Sequence, residues 1–304
     1  MINGILNVYK EAGFTSHDVV AKLRGICRQK KIGHTGTLDP EAVGVLPVCL
    51  GSGTKLCDML TDKSKEYEAV LLLGQVTDTQ DVTGTVLEEH EVTADEEQAV
   101  EAVRSFVGAY EQIPPMYSAL KVNGKRLYEL ARAGKEVERK GRPVEIHSIE
   151  ILSVSLPEIT FRVACSKGTY IRTLCHDIGQ KLGCGGTMKS LKRTRVGIFT
   201  IDGALKLSQL EELAAQGRLE EKVIPVEAMF AELPALTVKD AFARLVENGN
   251  AFYPAQAEEG ANAPDGRQTQ DGGQVRVYDR KGRFYGIYAF SEEKERYQPV
   301  KMFL

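Results

Sequence analysis

Apolar and polar positions divide most of the chain into short strands and helices. ILNVYK (5–10) reads as a strand, with a break at Gly13. Thr15 followed three residues later by Asp18 is a capping-box pattern and predicts a helix through about Cys27. GVLPVCLG (44–51) is a continuous apolar run, as in a buried strand, with Pro47 as an interruption. TKLCDMLTD (54–62) has helical spacing, and KEYEAVLLLG (65–74) reads as a strand ended by Gly74. The clearest helix is TADEEQAVEAVRSFVG (93–108), with Thr93 and Glu96 as a capping box, Ala99, Val103 and Phe106 on one side, and Gly108 as the stop. VEIHSIEILSV and EITFRVACSKG form two strands joined near Pro157, and TYIRTLCHDIGQKLG (169–183) is a helix ended by Gly183.

Two stretches break this rhythm. Residues 112–143 carry Pro114–Pro115, three glycines, many cations and weak periodicity, the texture of a long excursion from a compact domain. The texture changes again at 223–237 (VIPVEAMFAELPALT). Beyond it, QVRVYD and RFYGIYAF are strand-like pieces around a polar, Gly-rich stretch at 257–273, together a small β-rich second domain.

Length agrees with that division, since 304 residues make about two domains. Hydrophobic residues make up 42% and charged residues 27%, ordinary for a globular protein. No apolar run approaches the ~20 residues of a membrane span, and the start lacks a secretory apolar stretch, so a cytoplasmic protein is expected. The six cysteines show no CxxC and no zinc-ligand spacing to histidine; they read as buried, reduced side chains, and no metal is expected. A net charge of −3 argues against simple nucleic-acid binding, but distribution matters more than the sum. Acidic residues gather at 88–101 and 211–221. Basic residues gather at Lys121, Lys125, Arg126, Arg132, Lys135, Arg139, Lys140 and Arg142, and again at Lys189, Lys192, Arg193 and Arg195.

Candidate chemistry lies in KIGHTGTLDPEAVGVLPVCLG (31–51). Its glycines permit tight turns. Pro40 biases Asp39 away from α geometry, so a carboxylate sits on a stiffened loop beside His34. The loop is not a phosphate-binding P-loop, since GxxxxGK[ST] is absent. By pattern alone, Asp39 is a loop carboxylate whose ordinary reading is that it initiates a turn.

The literal string goes further: GHTGTLDPEAVGVLPVCLG closely resembles the catalytic motif of the TruB family of pseudouridine synthases. KEAGFTSHDVV (10–20) is similar to that family's opening motif, with Glu11 where proline is usual. The resemblance continues through KEYEAVLLLGQVTDTQDVTG (65–84), IPPMYSALKVNGKRLYELAR (113–132) and CSKGTYIRTLCHDIGQKLGCGGTMKSLKRTRVG (165–197). It implies Asp39 as the catalytic residue, and His34, Tyr67, Tyr170, Arg172 and Leu191 as substrate-binding residues. It also implies an RNA-gripping thumb at about 112–143, with Lys121 and Arg126 meeting RNA. Taken singly, Tyr67, Tyr170 and Leu191 would read as packing residues, Arg172 as a solvated charge and His34 as a loop donor; only the set of matching strings changes that.

The fold implied is mixed α/β (α+β): a catalytic domain over 1–233 with a central, mainly antiparallel sheet, then a PUA-like RNA-binding domain over 234–304. The activity implied is isomerisation of uridine to pseudouridine at position 55 in the T-loop of tRNA, by an enzyme acting as a monomer on the T-arm. This isomerisation breaks the N1–C1′ bond, turns the base and rejoins it through C5. Neither redox change nor net hydrolysis occurs, so no nicotinamide, flavin, metal or other cofactor is expected. The reaction needs an ionised carboxylate, as nucleophile, base or cation stabiliser, and a base flipped out of its stack. Arg172 is the guanidinium expected to hold Asp39 ionised against burial. Tyr67 offers a flat face for the uracil, and His34 a ring for the vacated space. Two alternatives stay open: a relative that modifies other RNAs, including one that works with guide RNA, and an RNA-binding or RNA-folding protein, a role that could also accompany catalysis.

Overall fold

In the computed structural model, the described residues are 1–61, 63–122, 124–258 and 272–304. Most of the Gly-rich stretch noted in the sequence, residues 259–271, lies outside them. The main sheet runs through β1 (Gly4–Lys10), β2 (Val43–Leu50), β3 (Lys65–Leu73), β4 (Gly108–Gln112), β5 (Arg142–Ser155), β6 (Glu158–Cys165) and β7 (Gly186–Val196). Their spatial order is β1-β2-β7-β3-β6-β5-β4. Every neighbour along this path is antiparallel except β7 against β2, which is parallel at Lys192–Val43 and Arg193–Gly44. The sheet is therefore mixed and mainly antiparallel, as expected.

Among the helices that decorate it are α1 (Ser16–Ile26), α2 (Glu96–Arg104), α3 (Leu127–Arg132), α4 (Ile171–Leu182) and α5 (Leu207–Ala215). The Thr15–Asp18 capping box starts α1 and Cys27 caps its end; such a box satisfies two orphan N–H groups and is worth roughly 1 kcal/mol. The cap of α2 falls two residues later than the sequence suggests. Asp95 and Gln98, not Thr93 and Glu96, form the reciprocal pair, because the last residue before the apolar stripe turns inward sets the cap. Gly183 ends α4 at φ +74°, a left-handed stop that favours glycine. Pro47 does not interrupt β2. It sits within the strand opposite Asn7, and its carbonyl accepts from Thr35 N at 3.2 Å.

Burial follows from this topology. β2 is covered on both faces, which explains its unbroken apolar run. β3 alternates strictly, with Lys65, Tyr67, Ala69, Leu71 and Leu73 inward. That inner face packs with β6 and α4 through Phe161, Val163, Leu174 and Ile178, forming the largest core. A second core lies between α1, β1, β2 and α5.

A four-stranded sheet follows: β8 (Ala235–Thr237), β9 (Gln274–Tyr278), β10 (Phe284–Ser291) and β11 (Arg296–Met302), in that order. It has its own core around Phe252, Tyr288 and Tyr297. Ile287 and Phe303 reach across to Phe230, Val45 and Leu56, so the two sheets share an apolar seam. Among the described residues, no helix is long and apolar enough to cross a membrane.

Candidate active site

The Asp39 loop leaves the short strand Ile32–His34 and enters β2. It is stitched down from beneath. Leu38 N donates to Ser16 Oγ at 2.9 Å, tying the loop to the start of α1. The Pro40 carbonyl accepts from Gly13 N at 3.1 Å and from Lys10 Nζ at 2.8 Å. Lys10 is fully buried, and burial lowers its pKa to about 8 against the opposing pull of Glu41 and Asp39. The end of β1 and the residues just after it thus fix the backbone on which the carboxylate rides.

Arg172, in the first turn of α4, meets that carboxylate with two nitrogens: Nε to Oδ2 at 3.0 Å and Nη2 to Oδ1 at 3.3 Å. This is the planar two-donor grip that arginine offers and lysine cannot. The guanidinium is committed elsewhere as well. Nη1 donates to the Thr79 carbonyl at 2.9 Å and faces Asp81 Oδ2 at 3.7 Å, and Nη2 also donates to the Tyr117 carbonyl at 2.8 Å. The Arg172 side chain is 6% exposed, whereas that of Asp39 is 39% exposed. The carboxylate is therefore anchored on a buried guanidinium yet itself remains accessible, where a substrate can reach it. Burial raises the Asp39 pKa above its ordinary value, Arg172 pulls it back, and the second carboxylate, Asp81, pushes it up again.

Two aromatic residues complete the wall. Tyr67, on β3, is buried, and its hydroxyl is pushed up to about 12 by burial, opposed by the Arg193 guanidinium beside it. Tyr170 is the N-cap of α4, its backbone clamped by the buried Gln112: Tyr170 N donates to Oε1 at 2.7 Å, and Nε2 donates to the Tyr170 carbonyl at 3.0 Å. Burial raises its hydroxyl, with Ser118 and Arg172 acting in the opposite direction. Leu191 is buried on β7 opposite Ala69, in the same core as Leu38 and Tyr67. His34 stands at the head of the loop, its ring edge against His17 at 5.9 Å; burial first, then His17, lowers its pKa.

The fold thus brings Asp39, Arg172, Tyr67 and Tyr170 together, with Leu191 behind them and His34 at the loop's start. Lys121 and Arg126 lie apart. They face each other across a two-stranded hairpin, Lys121–Val122 with Lys125–Arg126, and both are exposed. The excursion that carries them is more structured than its composition suggests. It contains α3, with Leu127 buried, and its base is held by the buried Pro114, Pro115 and Ser118, while Ile113 is exposed.

The second basic cluster is not a free cationic face. Lys189 pairs with Glu158, Lys192 with Glu68, Arg195 with Glu66, and Arg193 is buried. Sequence reading also passed over two polar residues of the site. Asp81 lay inside a quoted motif with nothing to mark it until the turn at 77–83 folded it onto Arg172. Arg193 had a usable signal: two residues beyond Leu191 on a strand, it must share Leu191's inward face.

Comparison with known sequences and structures places the chain in a family. Residues 24–171 match the TruB family pseudouridylate synthase (N terminal domain), and residues 172–231 match the tRNA pseudouridylate synthase B C-terminal domain. The chain is 54% identical over 311 residues to tRNA pseudouridine synthase B of Lachnoclostridium phytofermentans, covering 100% of both. It is 48% identical to the protein of the same name from Alkaliphilus oremlandii, covering 97% of this chain and 96% of that one. Among solved structures, it is similar to a chain of an H/ACA RNP bound to a substrate RNA containing 2′-deoxyuridine. That match has a TM-score of 0.69 and 25% identity, over 99% of this chain and 85% of that one.

Proposed function

Because the chain belongs to the TruB family of pseudouridylate synthases, we propose that it isomerises uridine to pseudouridine at position 55 in the T-loop of tRNA, with Asp39 as its catalytic carboxylate. The observation that carries the assignment of Asp39 is its two-point pairing with the buried Arg172 while its own side chain stays 39% exposed. Identity near one half to relatives named for tRNA, against 25% to the H/ACA particle chain, favours tRNA as the substrate.

The chemistry follows from the residues. The N1–C1′ bond breaks, the freed uracil turns, C5 bonds to C1′, the C5 proton leaves and N1 gains a proton. Attack of the carboxylate on C1′, attack on uracil C6 and removal of a sugar proton all require Asp39 ionised. Arg172 keeps it so against burial and aims both oxygens. The Tyr67 ring supports the flipped uracil, and a base–aromatic stack contributes ~1–3 kcal/mol. Tyr170 and Leu191 line the same wall, and His34 offers a flat ring for the space the base vacates. Lys121 and Arg126, on the exposed excursion 112–143, meet phosphates of the T-arm and fix its position.

We assign residues 1–233 to the catalytic domain and 234–304 to a PUA-like RNA-binding domain, acting as a cytoplasmic monomer. The test is to map pseudouridine in bulk tRNA lacking it after treatment with the purified protein. Pseudouridine confined to position 55 is expected. Its absence there, or its formation only in other RNAs, would overturn the reading.

A further inference from the structure

Arg193 stands outside the residues discussed so far as substrate contacts. Resting on the reading of this pocket as a pseudouridine synthase site, we propose that Arg193 is a positioning residue. It holds the Tyr67 ring and the Asp39 loop at a fixed separation, so that the flipped base lies between them.

Its place in the sheet makes this possible. On β7 it is opposite Tyr67 of β3 on one side and Gly44 of β2 on the other. Its backbone runs so close to Gly44, at φ +108°, that a side chain there would collide with the Arg193 peptide. The side chain, 1% exposed, then passes under the catalytic loop. Nε donates to the Val45 carbonyl at 2.7 Å, and Nη1 reaches the Thr37 carbonyl, two residues before Asp39, at 3.5 Å. The same guanidinium lies beside the Tyr67 hydroxyl. One flat, rigid fork therefore donates to the strand after the catalytic loop and to the loop itself, from the strand position directly opposite the tyrosine.

The charge is poorly explained by folding alone. Among the described residues no carboxylate forms an ion pair with Arg193, and Nη2 is buried without a hydrogen-bond partner. A buried cation held mostly by neutral acceptors opposes folding, and an apolar side chain of similar volume would fill the space without that penalty. Positioning gives the fork a use. The strand fixes the Tyr67 Cβ, but the ring can still rock about its own torsions. The guanidinium, paired across the strands with Tyr67, limits that rocking in the free protein, so stacking geometry is set before a base enters.

The test compares wild type, R193M, R193K, Y67F and the R193M/Y67F double variant in the full chain, under single and multiple turnover on transcribed tRNA. R193M should lower kcat by about a hundredfold, the scale of a ~1 Å misplacement, with KM for tRNA nearly unchanged. R193K keeps the charge without the fork and should recover little of that loss. The R193M and Y67F losses should not multiply in the double variant, since both act on one ring. A normal kcat in R193M overturns the proposal. So does a raised KM with kcat intact, which would mean that Arg193 binds a phosphate. Full recovery in R193K, which would mean charge alone, or losses that multiply completely, also overturn it.

A readout independent of turnover is ring motion, followed by NMR on isotope-labelled tyrosine. In the wild type the two edges of the Tyr67 ring should give separate signals, the sign of a pinned ring, and R193Q should merge them. Merged signals in the wild type overturn the proposal even if R193M fails to fold. Because this signal needs no substrate, it still decides the proposal if the wild type makes no pseudouridine and the functional reading itself fails.

Discussion

Lys10, Arg172 and Arg193 are buried around the Asp39 loop, and each donates to backbone carbonyls: of Glu11 and Pro40, of Thr79 and Tyr117, and of Thr37 and Val45. The eight cations of residues 121–142 are arranged otherwise. Among the described residues only Arg139 of these forms an ion pair, with Glu136 at 3.4 Å, and most stand in solvent. The same residue types do different work because their surroundings differ. Inside, low polarity makes each cation–carbonyl contact strong and hard to screen, so charge sets geometry. Outside, a cation is well hydrated and screened, and gains most by meeting a phosphate and releasing counterions.

The sharpest separation of the two regions is expected from Asp39→Asn. The substitution is nearly isosteric and leaves the exposed cations untouched. Pseudouridine formation should fall by roughly three orders of magnitude or more, the scale typical of losing a principal catalytic group, while tRNA affinity in a filter-binding assay stays near wild type. Substantial turnover by this variant, free of wild-type enzyme, would remove Asp39 from the mechanism.

Next in size is a pH effect confined to the interior. Burial and Asp81 raise the Asp39 pKa, and activity needs the ionised form. As pH falls, the rate should therefore drop at a pH above the usual aspartate range. Asp81→Asn removes the neighbouring negative charge, lowers the Asp39 pKa and should move this acid limb to lower pH. A limb that stays put, or moves up, would mean that another group controls it.

For the exposed region the probe is salt. Replacing Lys121 and Arg126 together with alanine should flatten the log–log dependence of tRNA binding on salt by roughly 1–2 units, about one for each phosphate no longer neutralised. An unchanged slope would move the grip off the hairpin. The cluster at 189–195 is a weak substitute, because its cations are already paired or buried.

The smallest effect concerns order in that region. Trypsin should cut first at Lys125, Arg132 or Lys135, where side chains are exposed, and added tRNA should suppress those cuts. The buried Leu127 works against this expectation by pinning the start of α3. Equal resistance with and without tRNA would show a preformed thumb and erase this part of the contrast.

Much of this was legible in the residues themselves. Asp39 and its glycine-flanked loop, the Thr15–Asp18 cap, the Gly183 stop and the alternation of KEYEAVLLL are local facts, written within a few positions by backbone sterics and side-chain periodicity. Errors of local reading were small. The cap of α2 moved from Thr93 to Asp95, and β2 ran straight through Pro47. Tertiary structure alone decided which distant residues meet. Arg172 closes on Asp39 across 133 positions, Asp81 arrives by a turn, and the register of β7 between β2 and β3 buries Arg193 while its neighbours Lys192 and Arg195 face glutamates. A lysine or arginine carries the same charge in the sequence wherever it falls. Whether it steadies a catalytic loop or waits for a phosphate is set by the dielectric and the partners that strand pairing brings to it, and that pairing joins segments no local pattern connects.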